Sequence, residues 1–489
     1  MYLCRIKNAE QLKRINPGDF GKLLGLDRIP EAKCYRSKIK QISEQGKAPE
    51  WNMELAKSWS KAEETGFYYI DGHVQTYHGY QAHLGKKFVS RQKLCLPGMQ
   101  EFWVNNSEGM PYFYVTGQVN EKLQEMIKDH LLPMLLENMG SPVIPQDNTP
   151  RFTIVFDREA YSPTFFDQIW EEHQVAVLTY RKNVTDSWQE EDFQPYTLAV
   201  EGAEVVMQLA EKVTVLDGVS LREIRKLNNN GHQTSVITTH PSLKILTVAL
   251  YMFARWSQEN FFRYMRQDYA FDKISQYTVD QIDEYLEVVN PDHRKLTQQL
   301  KKVREKISRR KAKLYMLKQE SADSSLDQTP TQSIQQQNVL AELDELLEKE
   351  KDLVKQRKEI KYKIMIKDMD EDRYNKLNTE SKHFLNVIKM ICYRSETSLA
   401  LHLTNDYAKL VNEKRMWVKS LINTPCDLKV DQQNQKLHVH MHTMATPRDN
   451  RAMHKICLLI NQNPCLFPGT NLKMIFHAAT NQSTTSQEF

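Results

Sequence analysis

A chain of 489 residues, 40% of them hydrophobic, has room for roughly two to four domains with buried cores, which excludes a small stapled fold. Its 66 Lys and Arg against 62 Asp and Glu leave a net charge of +4, too small to identify a nucleic-acid partner, so local charge density carries more information than the sum. The seven cysteines (Cys4, Cys34, Cys95, Cys392, Cys426, Cys457 and Cys465) are scattered and never in a CxxC pair, so neither a disulfide framework nor a zinc ribbon is expected and a reducing cytoplasm fits. No run approaches the roughly 20 apolar residues needed to span a bilayer, and a soluble protein is expected.

Residues 1–60 read as short helices, a small helical arm in which 21–30 form a helix–turn segment and Pro30 opens the next helix. Beyond Gly66 the apolar run Phe67-Tyr68-Tyr69-Ile70 precedes Asp71-Gly72, and 74–77 and 87–96 have strand-like composition, giving a three-strand meander. Tyr112 to Val115 adds a strand, and Leu123, Met126, Ile127, Leu131 and Leu135 recur at helical spacing. Phe152 to Phe156 is a buried-type strand ending at Asp157; Pro163 starts a helix running to about His173, and Val175 to Leu178 is again a strand.

The order β-β-β-α-β-α-β is the ribonuclease H-like arrangement, in which the first and fourth strands lie side by side and bring their carboxylates together. The core is assigned to 61–184 and 241–275, with an all-β insertion at 185–240 and one long helix from Ser242 to Lys273. The fold class expected is α/β: a ribonuclease H-like core with that insertion, a helical coiled-coil hairpin at 290–370 and an α+β C-terminal region at 378–489. In the hairpin, Leu296, Leu300, Val303, Ile307, Arg310, Leu314 and Leu317 keep a heptad rhythm, repeated from Val339 to Ile364, with the polar stretch 321–338 between.

Asp71 and Asp157 each end an apolar strand, where a side chain emerges at the rim of the sheet. Singly, such an aspartate is more often a turn former or helix cap. With Glu259, set among Trp256, Phe261 and Phe262 on the long helix, they make the three carboxylates that two-metal phosphodiester chemistry needs to hold ions about 4 Å apart. Arg255 lies one turn before Glu259, where it either reaches a phosphate or orients Glu259 by an ion pair. Trp256 is a possible base-stacking residue, although a packed helix aromatic is the commoner role.

These residues resemble a known family. Tyr69-Ile70-Asp71-Gly72-His73, Val155-Phe156-Asp157-Arg158-Glu159-Ala160-Tyr161-Ser162 and Arg255-Trp256-Ser257-Gln258-Glu259-Asn260-Phe261-Phe262 are similar to insertion-sequence transposases of the DDE type. These belong to the retroviral-integrase-like superfamily, and the likeness is to its cut-and-paste group with a β-strand insertion; it covers about residues 20–275. That group carries Tyr, Arg, Glu and Lys at fixed spacing; here Arg255 and Glu259 keep the interval, Met252 stands at the Tyr position beside Tyr251, and Arg266 replaces Lys. The resemblance implies Asp71, Asp157 and Glu259 as catalytic ligands of two Mg²⁺ ions, with Mn²⁺ able to substitute, and Arg255, Trp256, Arg263 and Arg266 as DNA contacts. It further implies cleavage at transposon ends, strand transfer to target DNA, a homodimer on paired ends, no membrane, and a cytoplasmic protein that acts at the bacterial nucleoid.

The first hairpin arm is densely basic, from Arg294 to Lys313, and the second is acid-rich; pairing between the arms and phosphate binding both account for this. His438, His440 and His442 alternate on one strand face, a geometry that can bind Zn²⁺, yet no cysteine or carboxylate lies at ligand spacing, so an exposed strand edge is the preferred reading. Two other functions stay open: a domesticated transposase relative that binds DNA without cutting it, and a coiled-coil interaction scaffold.

Overall fold

The computed structural model describes all residues except 64–65, 80–83, 90–91, 118–120, 139–147, 201–202, 254–255, 273–278, 281–286, 324–329, 366–367, 369–375, 404–410 and 480–489. Side chains at 62–63, 88, 198–200, 203, 253, 256–260, 279–280, 288, 318–323, 330–334, 376–377 and 411–412 are likewise outside the description. The chain divides into two units: Met1–Gly79, Gly85–Tyr277 and Asn378–Phe489 form one, and Tyr80–Leu84 with Thr278–Leu377 the other. Among the described residues, no helix is long and apolar enough to cross a membrane.

The first unit opens with α1 (Pro17–Lys22), α2 (Ala32–Ser43) and α3 (Ala48–Glu63). Asn16 caps α1 by accepting the N–H groups of Gly18 and Asp19, and Pro17 fills the first helical turn, where its missing N–H costs nothing. Then come β1 (Phe67–Thr76), β2 (Lys86–Val89), β3 (Leu94–Asn105) and β4 (Pro111–Gly117). Helices α4 (Leu123–Met126) and α5 (Leu132–Asn138), joined by a π turn, precede β5 (Phe152–Phe156), α6 (Pro163–His173) and β6 (Val175–Tyr180). Strands β7 (Gln194–Val200), β8 (Ala203–Leu216), β9 (Val219–Leu227) and β10 (Gln233–Thr238) follow, then α7 (Ile245–Phe253) and α8 (Trp256–Tyr269).

All ten strands join one mixed sheet in the order β2-β3-β1-β5-β6-β10-β9-β8-β7, with β4 also on β3. Strands β1, β5 and β6 are parallel to one another, while β3 runs antiparallel to β1. The chain is thus mixed α/β. Two expectations change, at the end of β1 and at the end of α8. β1 does not stop at Asp71 but runs on to Thr76, because β3 pairs with it from Tyr69 to Thr76 after β5 has ended; the Asp-Gly pair, which reads as a turn, is held in the strand by that second neighbour. The strands of 185–240 continue the core sheet, since β10 hydrogen-bonds to β6 and carries it onward. The helix expected to reach Lys273 ends at Tyr269, where Ala270 takes a left-handed φ of 50° and Phe271 donates its N–H to the Met265 carbonyl.

Side chains alternate along the strands and fill both faces. One face buries Tyr68, Ile70, Phe102, Val104, Ile154, Phe156 and Val177 against residues of α3, α4, α5 and α6. The other buries Tyr69, Val155, Leu178, Ile224 and Val236 against Val248 and Met252 of α7. On that second face Trp103 and Tyr114 pack with Phe261, Phe262 and Met265 of α8.

The second unit holds β11 (Val279–Asp280), β12 (Glu287–Val289), α9 (Pro291–Asp323), α10 (Pro330–Glu359), β13 (Lys363–Met365) and β14 (Lys376–Leu377). Leu300, Val303 and Ile307 of α9 share a core with Leu343 and Leu353 of α10, and the cross-pairs Arg304–Glu350 and Arg310–Glu342 fix an antiparallel register. Pro330 starts α10 inside the polar stretch that reads as a linker, and Ile364 at the end of the expected heptad run lies in β13, paired with β12.

The first unit resumes with α11 (Glu380–Leu401), α12 (Val411–Ile422), β15 (Cys426–Asp431), β16 (Lys436–Met441), α13 (Pro447–Gln462) and β17 (Lys473–Ala478). Helix α13 was not anticipated; Thr446 caps it by accepting the Asp449 N–H. The three strands pair in the order β15-β16-β17, so the histidine strand β16 is central and not an edge.

Candidate active site

The register between β1 and β5 sets the first two carboxylates. Tyr69 pairs with Val155 and Ile70 with Phe156, in parallel, and the next residue on each strand is an aspartate, Asp71 and Asp157. Asp157 stays extended at φ −83° and ψ 172° and caps a short 3-10 turn, its Oδ1 accepting the Arg158 N–H at 2.7 Å. With the alternation unbroken on both strands, Tyr69, Asp71, Val155 and Asp157 face the same side of the sheet. Asp157 is exposed and Asp71 half-buried.

The helices over that face are anchored on both sides of Asp71. Upstream, the Tyr69 hydroxyl donates to the Tyr251 carbonyl at 3.1 Å and the Tyr180 hydroxyl to the Met252 carbonyl at 2.8 Å. Downstream, the His73 ring stacks on Phe262 of α8 with centroids 4.8 Å apart, and Trp103, the register partner of Asp71, meets Phe261 at 5.4 Å. In sequence, Glu259 lies between the anchors at Met252 and Phe261. Asp272, just past α8, closes the contact: its Oδ1 lies 2.8 Å from His73 Nε2, and Arg266 lies 4.0 Å from its other oxygen.

Beneath the site runs a buried polar network. Glu101, opposite His73 in the register and fully buried, accepts from Gln75 Nε2 at 3.0 Å and Trp103 Nε1 at 3.1 Å and pairs with Lys382 Nζ of α11 at 3.1 Å. Lys389, one helical stretch further along α11, is pushed down to about 7 by burial, with the neighbouring Lys382 charge adding to the effect. His383, stacked on Tyr114 at 4.4 Å, is lowered to about 4, chiefly by burial and secondarily by Lys382. Both effects follow from the cost of holding a charge away from water.

The structure therefore brings Asp71 and Asp157 together. Arg255 and the side chains of Trp256 and Glu259 lie outside the described residues. Among the described residues no group of three His, Cys, Asp or Glu is arranged to hold a metal. Arg263 is exposed on α8 and Arg266 is turned to Asp272. Met252 is fully buried in the α7 core, and the Tyr251 ring packs 4.3 Å from Phe67. Asp272, Glu101 and Lys382 escaped the sequence reading. His73 carried a usable signal, since two residues past Asp71 in a strand means the same face, but Asp272 has none short of the tertiary contact.

In the C-terminal sheet, His438 Nδ1 lies 2.8 Å from His477 Nε2 of β17 and the His440 ring stacks on His477 at 4.7 Å. His442 instead lies 2.9 Å from Asp427.

A family profile described as "Transposase protein" matches residues 1–480. No curated protein and no solved structure matches the chain. With nearly its whole length covered, the chain belongs to the transposase protein family.

Proposed function

We propose that the chain is a DDE-type transposase that cleaves DNA at element ends and transfers the freed strand to target DNA. The observation that carries this reading is the parallel Ile70–Phe156 register, which sets Asp71 and Asp157 side by side at the end of β5. Strand order β4-β3-β1-β5-β6 supports a ribonuclease H-like core, with three antiparallel strands followed by two parallel ones. The anchors at Tyr69 and His73 flank Asp71 along β1, which favours Glu259, on the backbone between them, as the third carboxylate.

Asp71, Asp157 and Glu259 form the all-oxygen donor set that suits Mg²⁺, and two exposed or half-buried carboxylates on neighbouring strands fit that role. Bound divalent ions would supply an activated attacking oxygen and stabilise the leaving one. The chain's own contribution is position: β1 and β5 fix two acids on one sheet, Arg263 and Arg266 sit on α8, and these two with Arg255 are proposed as cations for the strand being cut. Trp256 is proposed to stack on a base beside them. The α9–α10 pair is read as a coiled coil, and action as a homodimer on paired ends belongs to the same proposal.

The test uses the full chain, DNA carrying the sequences that flank its gene, and Mg²⁺. Asp157→Asn should lower cleavage by more than the roughly 10–100-fold typical of residues that only support a metal ligand, with DNA binding retained. Cleavage by Asp157→Asn at the rate of the unaltered chain would overturn the reading.

A further inference from the structure

Between 291 and 317, α9 carries ten Lys and Arg against two acids, Asp292 and Glu305. Pairing with α10 uses only part of this charge. Arg304 and Arg310, on the two flanks of the buried seam, bond Glu350 and Glu342. Lys295, Lys302, Lys306, Arg309 and Lys313 are all exposed, and no ion pair joins any of them to an acid among the described residues. Their spacing of seven, four, three and four residues keeps them within about 60° of one another at 3.6 residues per turn. The stripe lies about 120° around the helix from the seam of Leu300, Val303 and Ile307, and both acids fall outside it.

We infer that this stripe is a docking surface for the phosphodiester backbone of duplex DNA. At 1.5 Å per residue it is about 27 Å long, a rigid row of five cations on a helix braced by its partner. Duplex DNA presents one charge per about 1.7 Å of axis, so a straight row of that length meets several phosphates at once. Four of the five are lysines, which act as point charges without the planar fork that reads a base edge; the contact is therefore sequence-independent. The surface rests on the proposed action on DNA and lies apart in sequence from the acids of the candidate active site.

The experiment measures affinity of the full chain for a random-sequence duplex across about 50–200 mM salt. Changing all five residues to Gln, which keeps helix propensity near that of Lys, should flatten the slope of log K against log salt by about 4 to 5, at about 0.9 per phosphate contact. Changing the four lysines to Arg should leave the slope as it was, and Lys301→Gln with Lys311→Gln, exposed on other faces, should alter it by much less than the five-residue Gln variant. An unchanged slope in the Gln variant, or an equal loss in the Lys301 and Lys311 control, overturns the stripe. Asp157→Asn keeps the two readings apart: an Asp157→Asn chain that still cleaves, with a slope that depends on the stripe, overturns the active-site reading alone.

Discussion

Ile70 of β1 pairs with Phe156 of β5 in parallel register, and each is followed at once by an aspartate. The acids owe their places to their apolar neighbours. Tyr69 and Val155 pack toward α7, while Ile70 and Phe156 pack into the opposite core. A slip of one residue would turn each set onto the wrong face, so burial of four large side chains fixes where two carboxylates emerge.

Phe262 is the link between α8 and β1, buried against His73, Trp103 and Phe271. Phe262→Ala should cost about 3–5 kcal/mol by removing a packed ring and leaving a cavity. Urea unfolding measures this. A loss below about 1 kcal/mol would mean that α8 is not held to the sheet at that point.

Lys382 is the only cation paired with buried Glu101 among the described residues. Lys382→Met should destabilise by about 3–5 kcal/mol, because it strands a buried charge. The double variant Glu101→Gln with Lys382→Met should recover much of the loss, since no uncompensated carboxylate remains. Additive losses in the double-mutant cycle would refute the pairing.

Stability should depend on pH in two windows. His383 titrates at about 4 in the folded chain against an ordinary 6.5, so between those values the unfolded chain binds more protons and stability rises with pH. That contribution is complete above 6.5 and is lost as pH falls toward 4. Lys389 titrates at about 7 against 10.5, and the same reasoning makes stability rise with pH from 7 to 10.5. Each slope can reach about 1.4 kcal/mol per pH unit. Chemical unfolding across pH should show His383→Gln flattening the lower window and Lys389→Met the upper one; variants with the parent's slopes would exclude these groups as the source.

Much of the candidate site was legible because it sits on short apolar strands with a strong local pattern, Phe67 to Ile70 and Phe152 to Phe156. What stayed hidden depends on partners far away in sequence. The run of β1 through Asp71-Gly72 needs β3 beside it, and the docking of β10 on β6 joins segments some 60 residues apart. Ala270 ends α8 in a left-handed conformation without the glycine that would have signalled it. The alternating histidines of β16 were visible, but His477 joins them only through the parallel pairing of β17.

The central claim is that Glu259 converges with Asp71 and Asp157 on one divalent-ion site. With hydrogen peroxide and ascorbate added, iron(II) bound there in place of Mg²⁺ reduces the peroxide to hydroxide and a hydroxyl radical, which cuts the nearest backbone, and ascorbate returns the iron(III) to iron(II). Peptide mapping should find cuts clustered at 71, 157 and 259, all suppressed by excess Mg²⁺; cuts at 71 and 157 without any near 259 would contradict the account.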